Sequence, residues 1–341
     1  MGGEQSMKNF LMPTLGADME AGTLVAWRKQ PGEWVHRGET LAEVDTDKGV
    51  IDVEVFHDGV IDSLLVGPGA KVPVGTPLAT IREHEELAGE EEPLAAGAAE
   101  AAGAQTPEAP VGEPATAQAD QQARMRRAIA AAMSRSKREI PHFYLATTVD
   151  AAAAVAFVAG QNDTLPPAER LLLGAVFVKA VARAVREVPE INGCWRNDAV
   201  ELLPTVNIGL VVSLRGGGLV ILTLRDPAGQ TLTALSQQIR DLTQRARTGR
   251  LKASELADAT LTVTSLGDRG VDAVWGVIYP PQLAIVGFGT VAKRPLVVAD
   301  RVEARLTATA TLAADHRALD GHRAGLYLTA IAEQLQQPET L

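Results

Sequence analysis

Cysteine is all but missing from this chain. Cys194 is the single one in 341 residues, which rules out an intrachain disulfide and suits a reducing, cytoplasmic compartment. Set between Gly193 and Trp195, it reads as a small buried hydrophobe rather than a reactive thiol. Long apolar runs are absent too: none approaches the roughly 20 residues that span a bilayer, so no membrane partner is expected. Aromatics make up only 4% of the chain and nowhere interleave with a basic cluster, which argues against nucleic acid. No Arg-rich transit segment or secretory apolar region is visible. The start, Met1-Gly2-Gly3-Glu4-Gln5-Ser6, fits a myristoylation pattern formally, but nothing polybasic follows it. What remains is a chain 46% hydrophobic and long enough for two globular domains.

Charge divides the chain. Residues 1–120 carry 22 acidic and 7 basic side chains, a net −15, whereas the rest carries 20 and 25, a net +5. The basic part suits a polyanionic cofactor, and an acidic segment tethered to it is drawn weakly toward it.

The first part contains a duplication. Gly22, Gly32, Val35, Gly38, Leu41 and Val44 recur 37 positions later as Gly59, Gly69, Val72, Gly75, Leu78 and Ile81. Six matches at one offset mark a doubled small β unit. Between the halves stands Asp45-Thr46-Asp47-Lys48-Gly49, a polar turn between alternating strands at Leu41–Val44 and Val50–Val55. By itself this is an ordinary soluble hairpin tip. Standing between symmetric halves, Lys48 is placed as a lysine on a carrier, open to enzymatic modification.

Residues 7–83 closely resemble a lipoyl domain, through Met12-Pro13-Thr14-Leu15-Gly16 and the Asp45-Thr46-Asp47-Lys48 turn. The resemblance implies an all-β barrel-sandwich hybrid with lipoate in amide linkage to Lys48. Related biotin carriers usually flank the lysine with methionines; here Asp47 and Gly49 flank it, which favours lipoyl. Gly49 departs mildly from the alanine common after the lysine.

From Glu83 the chain turns to Ala, Glu, Gly, Pro and Thr, a composition that cannot bury enough apolar surface to offset ordering. Residues 84–122 therefore read as a flexible tether, stretching at most about 120 Å and typically spanning about 30 to 40 Å. It shows no amphipathic helix pair and no compact basic segment. The small helical module that binds partner enzymes in many relatives of this architecture has no recognisable counterpart.

Periodic patterning returns in residues 123–341. Helices are expected at Arg124–Glu139, from Pro166-Pro167 through Val188, at Thr231–Arg247 closed by Gly249, and after Gly321. Strands are expected at His142–Val149, Val206–Ser213, Leu219–Leu224, Thr260–Ser265, Leu283–Gly287 and Arg305–Leu312. Without a βαβ rhythm, this is an α+β sandwich, a sheet backed by helices. Its chemistry concentrates at Asp315-His316-Arg317-Ala318-Leu319-Asp320-Gly321. A histidine just past a strand, with Asp320 one turn on, reads equally as a general base with a local carboxylate or as a solvated turn.

Context sharpens this motif. Residues 124–337 resemble the catalytic domain of dihydrolipoyl acyltransferases of 2-oxo acid dehydrogenase complexes and, more distantly, chloramphenicol acetyltransferase. The matching stretches include Ile140-Pro141-His142-Phe143-Tyr144, Val188-Pro189-Glu190-Ile191-Asn192, Val206-Asn207-Ile208, Tyr279-Pro280-Pro281-Gln282, Ile285-Val286-Gly287 and Asp315–Gly321. The resemblance implies acyl transfer between the dihydrolipoyl arm and coenzyme A, acetyl being the default acyl group. His316 would take the proton of the attacking thiol, a role worth about 10² to 10⁴ in rate. A hydroxyl donor to the carbonyl oxygen would supply roughly 3 kcal/mol. In the family a serine provides it within a stretch matching Leu261–Gly267. Thr264 falls at that position here, keeping the hydroxyl and adding a methyl, and Ser265 is the reserve donor. Asp320 is implied as ion-paired support for the histidine turn rather than as proton acceptor.

The resemblance further implies a homotrimer with each site shared by two subunits, and a larger cage held by an apolar C-terminal tail. This chain's ending, Gln337-Pro338-Glu339-Thr340-Leu341, is shorter and less apolar than such a tail. The implied partners are a thiamine-diphosphate-dependent 2-oxo acid (or acetoin) decarboxylase and a dihydrolipoyl dehydrogenase. Two other readings stay open: a non-catalytic lipoylated scaffold, and a small-molecule acetyltransferase fused to a carrier. An inactive scaffold would be expected to lose His316 or Asp320, and a fused small-molecule enzyme leaves Lys48 without a task.

Overall fold

The computed structural model describes residues 7–14, 19, 21–46, 49–83, 114–214, 218–248, 250–266 and 269–341, the side chains of Gly49 and 114–125 excepted. The expectations that fall on Lys48, Asp47, Gly249, Gly267 and residues 84–113 lie outside the described residues.

Eight strands build the first domain: β1 (Met7–Leu11), β2 (Ala21–Trp27), β3 (Trp34–Val35), β4 (Thr40–Thr46), β5 (Gly49–Glu54), β6 (Gly59–Leu64), β7 (Lys71–Pro73) and β8 (Pro77–Glu83). They form two four-stranded sheets, ordered β1-β8-β6-β3 and β5-β4-β2-β7. The short strand of each half is exchanged into the other half's sheet, so the duplication becomes a two-fold interlock. Its register irregularities repeat at the same offset, between Leu24 and Ala26 and between Ile61 and Ser63. The repeated glycines have matching duties. Gly32, Gly38, Gly69 and Gly75 all adopt positive φ, the left-handed turn region that side chains resist. A Cβ on Gly22 would meet Val44 at 2.6 Å, and one on Gly59 would meet Ile81 at 2.7 Å, so each glycine makes room for its own half's last apolar residue. Leu24, Val35, Leu41, Val44, Ile61, Leu78 and Ile81 fill the shared core.

The second domain opens with α1 (Pro114–Glu139), which starts ten residues before the expected Arg124 and takes in residues expected to be tether. Proline is tolerated in a helix's first turn, where its missing N–H costs nothing. Next come β9 (His142–Asp150), α2 (Ala152–Asn162), α3 (Leu173–Ala184), β10 (Gly193–Arg196), β11 (Ala199–Leu202), β12 (Asn207–Ser213) and β13 (Leu219–Arg225). The remainder is α4 (Leu232–Thr248), β14 (Leu261–Ser265), β15 (Ala284–Phe288), β16 (Ala292–Val298), β17 (Arg301–Asp315) and α5 (Gly321–Gln336).

The main sheet runs β13-β12-β14-β15-β17-β16, with β9 also paired to β17. β14 is parallel to both β12 and β15, and the other pairings are antiparallel. Helices pack on this sheet: Phe177 of α3 stacks on Phe288 of β15 at 4.5 Å, a contact worth about 0.5–1.5 kcal/mol beyond its buried area. Fully buried Tyr327 of α5 donates its hydroxyl to the Val181 carbonyl of α3 at 2.8 Å. Helix α3 begins later than Pro166-Pro167 because the Asn162 amide brackets Leu171, accepting from its N–H at 2.6 Å and donating to its carbonyl at 3.0 Å. Leu172 is thereby extended (φ −101, ψ 132) and the helix starts after it.

Candidate active site

The strand β17 delivers His316. Asp315, its last residue, is 1% exposed and lies opposite His142 of β9. The Asp315 carboxylate accepts from the Arg317 backbone N–H at 3.0 Å and from the Arg317 guanidinium at 2.6–3.1 Å. Hydrogen bonding to that carboxylate raises the Arg317 pKa above its ordinary value, and its guanidinium lies over the Trp195 ring at 4.8 Å. This clamp bends the chain immediately around His316. The histidine's own N–H donates to the Pro141 carbonyl at 3.0 Å, and its exposed ring rests 4.5 Å from that of Phe143. Sequence reasoning gave Asp315 and Arg317 no task. The acid–x–base spacing around the histidine was the available signal.

Asp320 serves a different bond from the one a local orienting carboxylate would make. It is the N-cap of α5 and accepts from the Arg323 N–H at 2.8 Å. That bond is the main reason its pKa lies below the ordinary carboxylate value. Arg323 in turn pairs with Glu190, fastening the start of α5 to the Pro189–Ile191 turn. Among the described residues, Asp320 makes no hydrogen bond to His316. It holds the turn on which the histidine stands.

Thr264 lies near the end of β14, half-buried, opposite Gly287 of β15, which lies opposite Thr311 of β17. Its hydroxyl makes no hydrogen bond among the described residues. Ser265 follows, exposed. Two residues earlier on the same face, Thr262 donates to Gln282 Oε1 at 2.6 Å while Gln282 Nε2 donates to the Ala259 carbonyl at 3.0 Å. Thr262, Thr264, Ser265 and Gln282 line a cavity of about 1270 Å³ to which the first domain contributes Thr14, Met19 and Thr46. Thr46 lies opposite Gly49 in the ladder of β4 and β5, so Asp47 and Lys48 connect the two strands.

The sheet does not bring His316 and Thr264 together within one chain. Thr264 is level with Thr311, and His316 lies five residues further along β17 and two strands across. At about 3.3 Å per residue and about 4.8 Å per strand, their Cα atoms are about 19 Å apart. A thioester touching one group is out of reach of the other in the same copy.

With that geometry in view, comparisons with known proteins are informative. The model of the 2-oxoacid dehydrogenases acyltransferase (catalytic domain) family matches residues 115–341, and the model described as Biotin-requiring enzyme matches residues 8–81. The chain belongs to the 2-oxoacid dehydrogenase acyltransferase family and carries a domain of the biotin/lipoyl type ahead of the catalytic one. It is 25% identical to the dihydrolipoyllysine-residue acetyltransferase component of the pyruvate dehydrogenase complex of Rickettsia bellii, over 96% of this chain and 97% of the relative. It is 27% identical to the lipoamide acyltransferase component of the branched-chain alpha-keto acid dehydrogenase complex of Bacillus subtilis, over 97% and 98%. A solved dihydrolipoamide acetyltransferase from Azotobacter vinelandii is 25% identical, with a TM-score of 0.59 over 63% of this chain and 89% of that one. That structure addresses the catalytic roles of a serine, a histidine 52 residues after it and an asparagine four residues further on.

Proposed function

We propose that this chain transfers an acyl group between a dihydrolipoyl arm on Lys48 and coenzyme A, as the core of a 2-oxo acid or acetoin dehydrogenase system. The observation that carries the reading is spacing joined to geometry. Thr264, His316 and Asp320 are separated by 52 and four residues, as are the serine, histidine and asparagine of the Azotobacter enzyme. Their surroundings support the reading: Thr264 lines a cavity wall, His316 stands on a clamped turn and Asp320 caps a helix.

A lysine between Thr46 and Gly49, at the strand ends of a small β domain, fits an amide-linked lipoate, which supplies the thiol that carries the acyl group. The chain's own residues do the rest. A thiol near its ordinary pKa of about 8.5 is mostly protonated at neutral pH. An imidazole nitrogen of His316 takes that proton as the sulfur attacks and returns it to the departing thiol. Thr264 Oγ1 donates to the carbonyl oxygen as negative charge builds there. Asp320 fixes the turn. Because the two groups stand about 19 Å apart in one chain, the site is completed by a second copy, in a homotrimer with each site at a subunit boundary. Acetyl is the default acyl group. The partners are a thiamine-diphosphate-dependent decarboxylase and a dihydrolipoyl dehydrogenase, and the compartment is the cytoplasm.

The test is acyl transfer from a panel of acyl-CoA thioesters to free dihydrolipoamide, beside His316→Ala. The expected result is transfer that falls at least about 10²-fold in the variant, with the preferred chain length naming the upstream 2-oxo acid class. No transfer by folded protein with any thioester would leave a lipoylated scaffold.

A further inference from the structure

The first domain's β5 is the edge strand of its sheet, and an edge presents unpaired backbone groups to any chain that can add to it. Here that edge is occupied. Asp52 bridges Lys252 in parallel fashion, and its N–H points to the Leu251 carbonyl at 3.4 Å. One turn of chain from the second domain, residues 251–256, thus lies along a strand almost 200 residues earlier in sequence. Both oxygens of the Glu54 carboxylate are engaged, Oε1 by the Lys252 ammonium at 2.9 Å and Oε2 by the Ser254 hydroxyl at 2.5 Å. Glu54 is 7% exposed in this arrangement. Ala253 and Leu256 complete the contact by packing into the first domain's own apolar core.

The receiving segment is rigidly part of the second domain. Arg225 at the end of β13 donates to the Ser254 carbonyl at 3.0 Å, and Arg245 of α4 pairs with Glu255. It is therefore a preformed ledge. Its charge agrees with the division seen along the whole chain, an acidic carrier against a basic core.

We propose that residues 251–256 are a docking site on the catalytic domain for the chain's own carrier domain, recognised through Glu54 at the β5 edge. The docked carrier sets Thr46, two residues before Lys48, at the cavity that Thr264 lines. The ledge thus aims the arm, and this role rests on the acyl-transfer reading above. Lys252 is 43% exposed, so the pair is partly screened and holds the dock loosely. Loose docking suits a carrier that must also leave for other enzymes, and a tether raises the effective concentration enough to fill a weak site.

Two measurements on the full-length protein test this. Carbodiimide activation, which joins a carboxylate to a neighbouring amine, should give a Glu54–Lys252 cross-linked peptide in the mass spectrum, lost in Lys252→Arg. Single-turnover transfer between the lipoylated carrier and coenzyme A should slow roughly fivefold or more in Lys252→Glu. Recovery is expected on adding Glu54→Lys, which reverses both charges. Lys252 lines no part of the cavity, so transfer to free dihydrolipoamide should not change. No cross-link, or an equal slowing with the free thiol, would overturn the docking site. A wild-type protein that cross-links but fails with free dihydrolipoamide would instead remove the acyl-transfer reading.

Discussion

His142 shows how a conspicuous residue can be structural. Its Nδ1 faces the Ile140 carbonyl at 2.9 Å and its Nε2 faces the Ile278 N–H at 3.1 Å. One nitrogen must donate and the other accept, which selects the neutral ring with its proton on Nδ1. Burial is the main cause that lowers its pKa below the ordinary value. The unfolded chain therefore binds this proton more readily, so stability rises with pH through the ordinary histidine range and is lost as pH falls toward the folded pKa. Wild-type protein should melt at a lower temperature near about pH 5.5 than near about pH 7.5. His142→Gln, which keeps a donor and an acceptor but cannot titrate, should flatten that difference; equal slopes in both proteins would exclude His142 as its source. His316 and Thr264 could be nominated from the sequence because their motif stretches are contiguous. The Asp315–Arg317–Trp195 clamp was not, since Trp195 comes from a separate hairpin and only folding brings it beneath the guanidinium.

At the scale of elements, the sequence announced those with a period and hid those without one. Helix α2 is nearly all Ala, Val and Phe with no polar face, so it offered no helical rhythm to read. Strand β16 contains Pro295, which argues against a strand until its place is known. It is the sheet's edge, where a missing N–H does no harm. Helix α5 was expected after Gly321, and the structure adds that Asp320 caps it, a duty asparagine performs as well as aspartate. Asp320→Asn should therefore retain melting temperature and turnover. Asp320→Ala should lower the melting temperature by about 2–4 °C and reduce kcat as the His316 turn loosens. The carboxylate's depressed pKa adds a sign. Its stabilisation is present above the ordinary carboxylate value and lost as pH falls through the folded one, a loss that Asp320→Asn should not show. A failing Asp320→Asn with normal melting would give the charge itself a part in catalysis.

At the scale of the whole molecule, one chain carries both proposed groups and keeps them apart. The strand pairings separate Thr264 from His316 by two strands and five residues. No sequence pattern could report this, because both positions lie in well-formed motifs and the separation exists only in the folded sheet. Two variants, each inactive alone, can decide whether copies share the site. Thr264→Val removes the hydroxyl and keeps the shape; His316→Ala removes the base. In a cyclic assembly each boundary takes the threonine from one copy and the histidine from the next. When equal amounts of the two variants assemble at random, half the copies bring an intact histidine and half an intact threonine. About one quarter of the boundaries then hold both. Purifying co-expressed, differently tagged variants through both tags discards the uniform trimers, and each mixed trimer keeps one intact boundary in three, so transfer to free dihydrolipoamide should return to about one third of wild type. A site contained in one chain would regain none, because no copy in the mixture carries both groups.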